Sequence, residues 1–145
     1  MVKEIILDTS VLVDVFLKNS ERHEKAQEFT SFLLENKIVP KAPMHSLFEL
    51  SAVMKNKKIV DKNFSMESNF PFPIIFVPID NNFIEKYFDS SLPYLKGCDS
   101  IFMSMAKKDS AILITEDLKM IEKSRQAGIE AYCIDDFLKI FVNSK

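Results

Sequence analysis

Glycine is nearly missing from this chain. Only 2 occur in 145 residues, too few to build a glycine-rich loop that cradles a phosphate. That excludes P-loop enzymes and dinucleotide-binding Rossmann enzymes. Tryptophan is absent, and cysteine is limited to Cys98 and Cys133. These two match neither zinc-ligand spacing nor a disulfide-rich scaffold, so reduced thiols are expected. No apolar run approaches the roughly 18 residues of a membrane span. Lys3 and Glu4 interrupt the amino terminus at once, and no signal peptide is expected. Together these absences predict a soluble cytoplasmic protein with no membrane partner. A large charge of one sign is also lacking, since the net charge is −2. Bulk charge therefore demands no nucleic-acid partner, while a local basic patch stays open.

What is present is ordinary globular material. The chain is 47% hydrophobic and 28% charged, with phenylalanine frequent at 13. Its length suits a single domain, residues 1–145, with one sizeable core. Residues 4–7, apolar through Ile5, Ile6 and Leu7, predict a buried strand. Helical spacing follows over 10–17 and 20–37, with Ser20 placed to cap the second. Residues 38–40 predict a short strand, and 43–57 a helix opened by Pro43. The stretch 57–73 carries no clear period. Beyond it come a strand over 74–79 and a helix over 81–92 capped by Asn81 or Asn82. A helix over 97–110, a strand over 111–115 and a helix over 116–128 closed by Gly128 come next. A strand over 129–134 and a helix over 135–143 end the chain. Apolar strands alternating with helices predict an α/β fold with a parallel sheet covered on both faces.

In such sheets ligands bind beyond the carboxyl ends of the strands. Asp8 follows the first strand, Asp117 follows the strand over 111–115, and Asp99 opens a helix. Glu49 lies in a helix between Leu47, Phe48 and Leu50. Each has a plain structural explanation. Asp8 and Asp99 suit helix caps, and Asp117 suits a helix dipole beside a Thr115 cap. Glu49 suits a helix rim, although glutamate is seldom buried without a partner. As a set they say more. Gathered at one sheet end, these carboxylates would repel one another and hold their protons too tightly unless a cation neutralised them. Oxygen donors suit Mg²⁺ or Mn²⁺, and phosphodiester hydrolysis is the natural chemistry of such a site. Spacing alone leaves their convergence open.

The segments LDTSVLVD, SLFEL and GCDSIFMSMAKKDSAILITED, in this order and placement, resemble the PIN-domain family of metal-dependent ribonucleases. The resemblance implies a three-layer α/β/α fold around a central, mainly parallel sheet. It implies an acidic site for Mg²⁺ or Mn²⁺, with Asp8, Glu49, Asp99 and Asp117 as both the catalytic set and the metal ligands, Asp117, from the T-x-D motif, completing the cluster. Ser10 and Thr115 match hydroxyl positions that orient the acids. The implied reaction is hydrolysis of RNA by water activated at the metal, leaving 5′-phosphate and 3′-hydroxyl ends. The implied setting is the toxin half of a VapC-like toxin–antitoxin pair, a homodimer restrained by an antitoxin protein. RNA processing or quality control is the rival setting, and a non-catalytic PIN-like RNA- or protein-binding module the rival class. Two departures stand out. Glu116 adds an acid inside T-x-D, and 57–73 does not read as the helical hairpin of small PIN toxins. A haloacid-dehalogenase-like phosphatase opens similarly but needs an aspartate where this chain has Ser10.

Other features have two readings each. Lys55, Lys57, Lys58 and Lys62 suit either RNA phosphates or a solvated helix end. Lys96, Lys107 and Lys108 are similar. His45 lies one turn before Glu49 but, like His23, reads first as a surface or structural histidine. Asp14, Asp135 and Asp136 are expected to face solvent. Phe70 and Phe72 suit core packing before base stacking.

Overall fold

The computed structural model describes residues 3–18, 21–57, 69–93 and 95–143. Among them, five strands form one sheet in the order β3-β2-β1-β4-β5. The strands are β1 (Ile5–Leu7), β2 (Lys41–Pro43), β3 (Ile75–Val77), β4 (Ile112–Ile114) and β5 (Ala131–Tyr132). Every pairing is parallel. The helices are α1 (Thr9–Phe16), α2 (His23–Glu35), α3 (Met44–Asn56), α4 (Asn81–Tyr87), α5 (Asp99–Lys108), α6 (Leu118–Gln126) and α7 (Ile134–Phe141).

Strand alternation divides the core into two layers. Ile5, Leu7, Ile112 and Ile114 pack against apolar residues of α1, α2, α3 and α7. Ile6 and Leu113 pack the other way, against α4, α5 and α6. This is the expected three-layer α/β/α arrangement. The central strands β1 and β4 are buried throughout, which is why they read as unbroken apolar runs. Burying each such side chain contributes about 1.5–3 kcal/mol.

Several boundaries differ from expectation, each for a local reason. The strand expected at 38–40 lies at Lys41–Pro43. Residues before it close α2: Lys37 takes a positive φ of 55° and the Ile38 N–H bonds to Leu33 O at 2.9 Å. Pro40 has no N–H to offer a ladder, and its carbonyl accepts from Ile75 N. Asp80, not Asn81 or Asn82, caps α4, its Oδ1 accepting from Phe83 N at 2.9 Å. That helix stops at Tyr87 rather than reaching Leu92, where Asp89 folds back to accept the Ser91 N–H. Asp117, not Thr115, caps α6. The proposed Ser20 cap lies outside the described residues, and α2 begins at His23. Phe72 is buried, and Phe70 packs edge-on to Phe16, Phe72 and Phe76, so both belong to the core.

Candidate active site

The parallel register of β1 and β4 builds the centre of the site. Leu7 is level with Ile114, so Asp8 and Thr115 leave the sheet side by side. The Thr115 hydroxyl, fully buried, donates to Asp8 Oδ2 at 2.6 Å. Ser10 donates to the same oxygen at 2.8 Å, and the Thr9 N–H bonds to Oδ1 at 2.7 Å. Asp8 thus caps α1 and is also gripped by two hydroxyls. The hydroxyls are held in turn. Glu116 N–H donates to Ser10 Oγ at 3.1 Å, and Asp117 N–H donates to Thr115 Oγ1 at 3.1 Å. The carboxylate of Asp117 caps α6 by accepting from Lys119 N and Met120 N.

Glu49 and Asp99 approach Asp8 from two other helices. Glu49 projects from α3, which starts directly after β2. Asp99 opens α5 but is not its cap; Cys98 holds that position without a side-chain bond. Partial burial holds the protons of both acids more tightly than usual, although the Glu49 side chain stays 48% exposed. The charge of Asp8 adds to this on both, and each also feels a further acid: Asp99 acts on Glu49, Asp117 on Asp99. Among the described residues, no basic side chain offsets either shift. The four acids picked from the sequence therefore share one electrostatic neighbourhood. Among the described residues, no three histidine, cysteine, aspartate or glutamate side chains stand close enough to make a finished metal cage. The donor chemistry nevertheless suits a hard divalent cation, because uncompensated carboxylates are what such a cation neutralises. His45, one turn before Glu49, sits nearby with its imidazole pKa lowered by burial and opposed by the charge of Asp8.

The PIN domain family matches residues 5–126. The chain belongs to the PIN domain family. VapC20 of Mycobacterium tuberculosis, a sarcin-ricin loop cleaving toxin, has a similar fold: TM-score 0.55, 13% identity, over 87% of this chain and 96% of that one. A domain of a functionally unknown protein from Methanocaldococcus jannaschii aligns with TM-score 0.47 and 16% identity over 90% of each chain. No curated protein matches the chain.

Within this PIN fold the unusual Glu116 turns away from the acid group. Its Oε1 accepts the Ile134 N–H at the start of α7, at 3.1 Å. Burial raises its pKa, while Ile134 N–H and Arg22 pull the other way. The charges that act on Glu49 and Asp99 are those of Asp8, Asp99 and Asp117, and Glu116 is not among them. Asp14 corrects a second expectation. It is 1% exposed rather than solvent-facing, and it accepts from Arg22 Nε at 2.7 Å. Helical spacing from Val11 to Asp14 and Val15 is the signal that puts it on the buried face. Asp135 and Asp136 are partly exposed and pair with Lys139, as expected. Lys55 and Lys57 are exposed at the far end of α3; Lys58 and Lys62 lie outside the described residues.

Proposed function

We infer that this PIN domain is a metal-dependent endoribonuclease and the toxin component of a toxin–antitoxin pair. The observation that carries the reading is the state of Asp8. Two hydroxyls and a backbone N–H hold it, while its charge falls on Glu49 and Asp99 with no cation among the described residues to relieve it. Asp8, Glu49 and Asp99 are the residues to hold Mg²⁺ or Mn²⁺, and Asp117 completes the set. When bound, the ion supplies Lewis acidity, easing deprotonation of water and offsetting charge on the phosphoryl group. The protein's own part is positioning. Ser10 and Thr115 fix Asp8, and loss of such supporting bonds costs metal sites roughly 10- to 100-fold in affinity or activity.

Family membership and the fold shared with VapC20, a toxin by its description, support the RNA substrate and the toxin setting. Phe48 and Leu118, chain neighbours of Glu49 and Asp117, are 78% and 76% exposed. The partner expected from the family is an antitoxin or a second subunit of a homodimer. Lys55, Lys57 and Lys58 are the candidate contacts to RNA phosphates. No helix among the described residues is long and apolar enough to cross a membrane, and a cytoplasmic setting fits an RNA substrate.

The test is cleavage of a labelled single-stranded RNA with Mn²⁺ or Mg²⁺, wild type beside Asp99→Asn. Cutting by wild type alone, stopped by chelation, is the expected result, with a loss on the order of a thousandfold in the variant. Equal cutting by both proteins contradicts the site. No cutting by either favours a PIN-like binding module.

A further inference from the structure

His45 and Glu49 stand at i and i+4 on α3, so their side chains share one helix face. Both ring nitrogens of His45 are buried and neither has a hydrogen-bond partner among the described residues. Buried polar atoms are normally satisfied, so the ring calls for an explanation. Its Nε2 lies 3.2 Å from Glu49 Oε1, within ion-pairing reach but without the alignment of a hydrogen bond. That separation has a second meaning. Two donors in adjacent positions on an octahedral cation, each about 2.1 Å from it, are about 3 Å apart. Helical i, i+4 spacing is also how two histidines on one face grip a single metal ion.

The surroundings hold the ring in place for that task. His45 packs on Phe102 of α5, with ring centroids 5.1 Å apart and planes tilted by 56°. Phe102 is one turn beyond Asp99. The imidazole is therefore wedged between the two helices that carry Glu49 and Asp99, close enough to Asp8 to feel its charge.

We propose that His45 is a nitrogen ligand of the cation held by Asp8, Glu49 and Asp99, and that it biases the site toward Mn²⁺ over Mg²⁺. The proposal rests on the cation-dependent reading above. Its chemistry is donor matching: carboxylates suit Mg²⁺ and Mn²⁺ alike, whereas imidazole suits first-row transition ions and adds little for Mg²⁺.

The chain has only 2 histidines, which makes the assignment direct. Pulsed electron paramagnetic resonance on the full chain loaded with Mn²⁺ reads nitrogen bound to the ion. A directly coordinated ¹⁴N signal is expected, converting to a ¹⁵N signal when histidine alone is ¹⁵N-labelled. It should persist in His23→Gln and vanish in His45→Phe, which keeps a ring against Phe102. The Mn²⁺ dissociation constant, from titration, should rise about tenfold or more in His45→Phe. The Mg²⁺ constant should change by less than about twofold. If His45→Phe does not fold, the labelled His23→Gln protein decides the matter alone. Bound Mn²⁺ and RNA cleavage without histidine-nitrogen coupling would overturn the ligand role and leave the nuclease standing. Absence of any Mn²⁺ binding would overturn both.

Discussion

Consecutive residues of Thr115–Asp117 serve two groups of acids that end in opposite electrostatic states. Thr115 and Asp117 serve the group around Asp8; Glu116 serves a group with Asp14. In the second group the compensating partners are built in. Asp14 is all but inaccessible, yet Arg22 reaches it with a short bond and has its own pKa raised by doing so. Glu116 is bonded by Ile134 N–H and attracted by Arg22. In the first group, Glu49 and Asp99 are less buried than Asp14, and no cation among the described residues opposes their shifts. On the proposed function, missing counter-charge rather than depth of burial marks the working acids: a carboxylate with its cation inside the chain belongs to the scaffold, and Glu49 and Asp99 await a cation from solution.

Short of replacing an acid of the Asp8 group, removing one of its supports should have the largest effect. Thr115→Val deletes the donor to Asp8 Oδ2 and the acceptor of the Asp117 N–H. RNA cleavage should fall roughly 10- to 100-fold while the protein still folds. Unchanged cleavage would show that Asp8 needs no such fixing. Breaking the compensated group should act on stability instead. Asp14→Ala should cost about 1–3 kcal/mol in urea unfolding, the value of a hydrogen-bonded charge in a buried site. Cleavage per folded molecule should be preserved, and a selective loss of activity would erase the distinction between the groups.

The smallest effect is a pH dependence. Glu49 and Asp99 have raised pKa values in the folded chain, so the folded state binds their protons more tightly than the unfolded state does. The stability they contribute is present below the unfolded carboxylate range, about pH 4, and is lost as pH rises through the raised folded values. In chelator, Glu49→Gln removes one of these losses. The stability of the variant minus that of wild type should therefore grow from about pH 4 to pH 7. Parallel curves would mean that Glu49 is not strained by its neighbours.

Much of this contrast was readable along the chain, and the rest was not for definable reasons. β1 and β4 announce themselves because a strand buried on both faces is apolar throughout. Asp8 and Asp117 then stand out as the first acids past those strands. Shifted boundaries, such as Lys41–Pro43 in place of 38–40, depend on hydrogen bonds to α2 and β3 that a local window does not contain. Asp14 was misread because a charge suggested solvent, although its helical spacing with Val11 pointed inward. The direction of Glu116 was beyond local reading. It is decided by Ile134 and Arg22, which come from distant parts of the chain.

On the proposed function, the Asp8 group takes a cation from solution and the Asp14 group does not. Thermal unfolding of chelated protein, with and without added Mn²⁺, tests it most directly. Wild type should be stabilised by the ion, by about 2.7 kcal/mol at a hundredfold excess over the dissociation constant. Asp99→Asn should lose most of that gain and Asp14→Ala should keep it. An equal gain in wild type and Asp99→Asn, or no gain in wild type, would contradict the account.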